Sequence, residues 1–204
     1  MAPGDELPLT KDVRVNAFPS TDLGVSYLVD FYGTKVFHAG DLNLWHWRTE
    51  STLKEIEAAE TAYESALQTL KGQSIDIAMF PVDPRQGAMY DAGANAFILS
   101  IKPLYFIPMH WQKRPEVATD FARRAQNKQT TIVPLTQPGD AFYFERTEDG
   151  KVQHHSTAQT PLRRTAPIPA LGTVTEAVQA PAVQQNVYSS DDPFSESDLP
   201  VELS

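Results

Sequence analysis

Lys35-Val36-Phe37-His38-Ala39-Gly40-Asp41-Leu42-Asn43-Leu44-Trp45-His46-Trp47 is the stretch that decides the fold, because an apolar strand stops at a glycine and delivers a carboxylate at its carboxyl end. Open α/β sheets bind their ligands at that end of the strands. A second stretch, Leu104-Tyr105-Phe106-Ile107-Pro108-Met109, stops in the same way on His110. Asp41 and His110 are therefore delivered by one device from distant points of the chain, and together they look like half of a metal site.

Outward from these strands the chain alternates strand and helix. Residues 13–18 and 25–31 are strand-like, and Gly33-Thr34 turns the second back into residues 35–38 as an antiparallel hairpin. Over residues 52–70, Ile56, Ala59, Tyr63, Ala66, Leu67 and Leu70 recur at helical spacing, with Thr52 and Glu55 as a capping box and Gly72 closing the end. Residues 75–80 read as a buried strand running into Pro81-Val82-Asp83-Pro84-Arg85, followed by a helix over 89–101. Pro115 opens a helix reaching about Asn127, and residues 131–135 and 141–145 form a final pair around Pro138-Gly139. The order β-β-β-α-β-α-β-α-β-β predicts an α/β fold with a mixed sheet and helices on one face.

Composition narrows the function. With 204 residues, 41% of them hydrophobic, the chain can bury a sizeable core. No stretch approaches the roughly 20 apolar residues of a membrane span, and the first residues lack the pattern of a signal peptide, so the expected location is cytoplasmic. The absence of cysteine excludes thiolate chemistry and leaves His, Asp and Glu as metal ligands. A net charge of -9 without a basic cluster argues against a nucleic-acid partner. Residues 1–150 are expected to form the domain and 151–204 a proline-rich acidic tail, disordered from about residue 157. Within that tail, Asp191-Asp192-Pro193-Phe194 reads as a solubilising terminus or a short docking motif.

Each candidate site residue has a plainer reading beside the functional one. Asp41 is suited to a cation, or caps a turn; His110 is a ligand, or a hydrogen-bonded core residue. His38 is a supporting or structural residue near Asp41. His46 lies between Trp45 and Trp47 and belongs with them to an aromatic wall that can line a substrate pocket, as can Trp111. Asp83 and Arg85, at another strand end, orient a ligand or pair with each other. His154-His155 reads as a solvated pair.

Three motifs carry a resemblance when taken together: His38-Ala39-Gly40-Asp41-Leu42-Asn43, Asp76-Ile77-Ala78-Met79-Phe80-Pro81-Val82-Asp83-Pro84-Arg85, and Ile107-Pro108-Met109-His110-Trp111. Their order and spacing over about residues 12 to 145 resemble the metallo-β-lactamase superfamily, and most closely its branch of metal-dependent hydrolases similar to L-ascorbate-6-phosphate lactonase. The resemblance implies an αββα sandwich, of which this chain is mainly the second half. It implies that Asp41 bridges two divalent ions, zinc with manganese or iron as alternatives, and that His110 completes the second ion's shell. Asp22 falls where another metal-binding His is often found, and either replaces it or caps a turn. The family's His-x-His-x-Asp-His motif has no counterpart among the five histidines here.

The resemblance thus implies hydrolysis of an ester, lactone or phosphoester of a small molecule, by a zinc site that this truncated chain leaves incomplete. A complementing N-terminal half or a homo-oligomer is the implied partner. The other reading is a non-catalytic interaction protein that uses the half-sandwich face and the acidic tail.

Overall fold

Alternation and turn chemistry build the first half of the sheet. In the computed structural model, which describes residues 1–47, 49–125 and 129–156, β1 (Glu6–Thr10), β2 (Val13–Pro19), β3 (Val25–Phe31) and β4 (Thr34–His38) pair antiparallel in sequence order. The β3–β4 hairpin is tight, with both Tyr32 (φ 51°) and Gly33 (φ 81°) left-handed, the geometry that matches strand twist in two-residue turns. β1 lies along the edge with every residue exposed, and its Pro8 and charged Glu6 do not advertise a strand by alternation.

The second half is parallel. From β4 the chain crosses through helix α1 (Leu53–Leu70) to β5 (Ile77–Pro81), through a 3₁₀ turn (Pro84–Met89) and α2 (Ala92–Ile101) to β6 (Tyr105–Met109), and through α3 (Pro115–Ala125) to β7 (Thr131–Ile132). The seven strands lie in sequence order across one sheet. The expected capping box is formed: Thr52 accepts the Glu55 N–H while Glu55 accepts the Thr52 N–H, satisfying two helix donors reciprocally. Gly72 beyond the helix is left-handed at φ 87°.

All three helices pack on one face, as the sequence predicts. Phe37, Phe80 and Phe106 from neighbouring strands meet Phe97 of α2 and Phe121 of α3, with ring centroids 4.6 Å apart for Phe80–Phe97 and 5.5 Å for Phe106–Phe121. All five rings are fully buried. Gly93 in α2 is needed for this packing, because a Cβ there would lie 2.1 Å from Asn43 Oδ1 and 2.9 Å from the Leu44 nitrogen. The opposite face is apolar too, with Val15, Tyr27, Val29, Val36, Met79 and Ile107 half-buried.

Two expectations about the end of the domain are corrected. The strands predicted over 131–135 and 141–145 do not pair with each other. β7 stops at Ile132 and joins β6 in parallel, because Pro134 has no N–H to continue the ladder, and β8 (Phe142–Arg146) pairs instead with β9 (Val152–Ser156). His154 is half-buried rather than freely solvated: its ring lies 5.0 Å from Tyr105 and 6.3 Å from Phe142. The β8–β9 hairpin is tied down by Arg146, which donates to the Gly33 carbonyl at 2.5 Å, to Thr34 Oγ1 at 3.2 Å and to Asp76 Oδ2 at 3.1 Å. The acidic tail expected from about residue 157 lies outside the described residues. Among the described residues no helix is long and apolar enough to cross a membrane.

Candidate functional site

The parallel register places three chemically active side chains side by side. Asp41 follows β4, Asp83 follows β5 and His110 follows β6, so all three stand at the carboxyl ends of adjacent parallel strands. Gly40 (φ 57°) makes the turn after β4; its N–H donates to His38 Nδ1 at 3.0 Å, while Leu42 N–H closes back on the Ala39 carbonyl at 3.0 Å. The exposed His38 thus shapes the turn that presents Asp41. After β6, His110 is itself left-handed at φ 62°, as is Gln112 at φ 58°. Such conformations are uncommon for residues with a side chain and concentrate at functional sites.

The imidazole of His110 lies between two carboxylates. Its Nε2 is 3.4 Å from Asp41 Oδ1 and its Nδ1 is 3.8 Å from Asp83 Oδ2. The two acids differ in setting: the Asp41 side chain is 51% exposed, whereas that of Asp83 is fully buried. Asp83 is held by Arg85, whose Nε donates to Oδ1 at 2.9 Å, whose terminal nitrogen donates to Oδ2 at 2.5 Å and whose backbone N–H donates to Oδ1 at 3.0 Å. Burial pushes the Asp83 carboxyl up, but the hydrogen bonds and charge of Arg85, helped by His110, outweigh it and hold the group below its ordinary value. Of the two sequence readings of this motif, the structure displays the pair.

Residues that sequence reasoning left aside join the turns together. The buried Asn43 amide donates from Nδ2 to Gln86 Oε1 at 2.8 Å, and Gln86 Nε2 donates to the Leu44 carbonyl at 2.6 Å. Thr21 Oγ1 donates to the Asn43 carbonyl at 2.5 Å and accepts the Asn43 N–H at 3.0 Å. These bonds tie the loop before β3, the Asp41 turn and the Asp83 turn into one unit. Nothing in the local sequence marks Gln86 for this; an amide shows its partner only after the strands are side by side. The neighbouring Asp22 is exposed, and its Oδ1 accepts the Leu23 N–H at 2.7 Å, which is a turn-capping arrangement.

The aromatic wall is anchored on the same turns. Trp45 Nε1–H donates to the Asp41 carbonyl at 2.7 Å and Trp47 Nε1–H to the Arg85 carbonyl at 3.1 Å, and the two indoles stack with centroids 6.4 Å apart. His46 between them is buried, with neither ring nitrogen hydrogen-bonded among the described residues. An open cleft of about 450 Å³ is lined by Arg85, Met109, His110, Trp111 and Gln112.

Asp41 and His110 fit two positions of a divalent-metal shell, an oxygen and a nitrogen donor converging at the rim of a cleft. Hydrolytic zinc uses about three protein ligands. Among the described residues no group of three or more His, Cys, Asp or Glu gathers to hold an ion, so those residues do not complete the shell.

No family model matches the chain. A metal-dependent hydrolase from Natranaerobius thermophilus is 29% identical over 126 residues, covering 59% of this chain and 47% of that protein. The chain therefore spans about half the length of the curated relative it matches. Among solved structures, a protein from Parabacteroides distasonis described as a metal-dependent hydrolase aligns at 20% identity and a TM-score of 0.42, over 65% of this chain and 56% of that one. A diiron β-hydroxylase from Streptomyces venezuelae aligns at 12% identity and a TM-score of 0.40, over 65% of this chain and 32% of that one.

Proposed function

We propose that this chain is the second half of a metallo-β-lactamase-like, metal-dependent hydrolase, inactive or weak by itself, which contributes Asp41 and His110 to a divalent centre completed by another segment. The observation that carries the reading is the 3.4 Å approach of His110 Nε2 to Asp41 Oδ1 at neighbouring strand ends. Similarity to a metal-dependent hydrolase over half of that protein's length supports it.

When bound, the ion supplies Lewis acidity for cleaving an ester, lactone or phosphoester, with zinc, manganese or iron as candidates. The chain's own residues do the positioning. Gly40 and His38 present Asp41, the left-handed backbone of His110 turns its imidazole toward that carboxylate, and Trp111 lines the cleft a small-molecule substrate would occupy, while Trp45 and Trp47 brace the Asp41 and Arg85 turns behind it. We place the lactonase-like branch and a cytoplasmic location within the same proposal.

The test is complementation. The full chain is mixed with a segment bearing the His-x-His-x-Asp-His motif, and zinc and manganese content is measured by mass spectrometry. Stoichiometric metal in the mixture, absent from either part and lost with Asp41→Ala or His110→Ala, is the expected result. Tight stoichiometric metal on the chain alone, or a mixture whose metal ignores both substitutions, overturns the proposal.

A further inference from the structure

We infer that Asp83 is a positioning residue that holds His110 as its Nδ1–H tautomer, so that the lone pair at Nε2 faces Asp41 and the cleft. The inference deepens the proposed function and rests on it for the use made of that lone pair, but the tautomer itself is a property of this chain. A neutral imidazole carries one proton for its two nitrogens, and here each nitrogen looks at a carboxylate. The question is which carboxylate receives the N–H.

Three observations assign the proton to the Asp83 side. First, His110 Nδ1 is buried with no hydrogen-bond partner among the described residues, and the fully buried side chain of Asp83 brings its Oδ2 to within 3.8 Å of it. A lone pair pointed at a buried carboxylate is repulsive, whereas an N–H there is attracted and needs a shift of only about 0.8 Å to reach hydrogen-bond distance. Second, Nε2 faces Asp41, whose side chain is half exposed, so water can solvate both the carboxylate and a lone pair beside it. Third, Arg85 fixes Asp83 by donating to both of its side-chain oxygens, Nε to Oδ1 and a terminal nitrogen to Oδ2, which holds the carboxylate as an acceptor beside the ring.

The left-handed backbone at His110 and the Asn43–Gln86 amide pair then have a common purpose. The first brings the ring between the strand ends, and the second holds the Asp41 and Asp83 turns at the spacing that spans it. A histidine that donates one ring N–H to a carboxylate and offers the other nitrogen outward is the arrangement in which imidazoles ligate metals, and loss of such a carboxylate typically weakens binding about 10–100-fold.

The experiment is long-range ¹H–¹⁵N correlation of the histidine rings in the full chain without metal, at a pH where the imidazole is neutral. The expected result is a His110 signal with the proton on Nδ1, a preference lost in Asp83→Ala while the other histidine signals stay in place. Because removal of a buried carboxylate can perturb folding, Asp41→Asn provides a second reading at an exposed position, and it is expected to leave the tautomer unchanged. A wild-type ring protonated on Nε2, a folded Asp83→Ala chain with an unaltered tautomer, or a tautomer that follows Asp41→Asn each overturns the inference. The two proposals fail separately: a complemented protein whose metal ignores His110 defeats the proposed function and leaves the tautomer standing, and an Nε2–H ring in a chain that still takes metal through His110 does the reverse.

Discussion

Asp83 and Arg85 show how a single pair of side chains can be read two ways until burial is known. The guanidinium is 61% exposed and the carboxylate fully buried, so the pair is neither a surface salt bridge of negligible worth nor a fully desolvated one. Removing the exposed partner leaves a buried charge, and Arg85→Met is expected to cost about 2 kcal/mol, below the range for fully buried pairs because water reaches the site once the arginine is gone. Urea denaturation at neutral pH measures this. The pH dependence follows from the direction of the shift. Since the folded carboxyl lies below its ordinary value near 4, its stabilisation is present above about pH 4 and is lost as the pH falls through the folded value. The melting temperature of Asp83→Asn should therefore be lower than wild type at neutral pH but decline less steeply on acidification.

At the scale of the element, two devices have separable consequences. The capping box at Thr52 and Glu55 is local, so Thr52→Ala should cost about 1 kcal/mol without disturbing the site, as thermal denaturation and the spectra of Trp45 and Trp47 will show. Arg146 is the opposite case, reaching from β8 to Asp76, 70 positions away, and to Gly33 of the β3–β4 turn, 113 positions away. Arg146→Ala is expected to raise amide hydrogen exchange across β8 and β9 while β5 and β6 stay protected, because the phenylalanine core on the other face does not depend on it. Gly93→Ala should be worse than either, with loss of about 2–3 kcal/mol, since the added methyl meets the Asn43 amide and the Leu44 backbone that carry the Asp41 turn.

For the whole molecule, the asymmetry of the sheet is the dominant fact. One face is sealed by three helices, while the other has the β8–β9 hairpin over Tyr105 and leaves Val15, Val29, Val36 and Met79 half-exposed. Apolar surface of this kind drives association. Sedimentation of the full chain should show concentration-dependent self-association, reduced by Val29→Thr together with Val36→Thr; a monomer at all concentrations would mean that the face is satisfied within the chain.

Strand and helix positions from β2 through β6, the capping box, the β3–β4 turn and the Gly40-Asp41 and Met109-His110 strand ends are local properties, written in periodicity, glycine and proline, and were legible for that reason. So was the shortage of histidines. The pairing of β8 with β9, the edge strand β1 and the aromatic setting of His154 depend on which surfaces remain after the sheet assembles, and short strands carry too little pattern to announce their partners. The site divides in the same way. Sequence alone delivered Asp41 and His110 to strand ends; only the parallel register of β4, β5 and β6 brought His110 between Asp41 and Asp83 and buried the Asn43–Gln86 pair that spaces them, because distances between residues so far apart in the chain are set by packing and by nothing local.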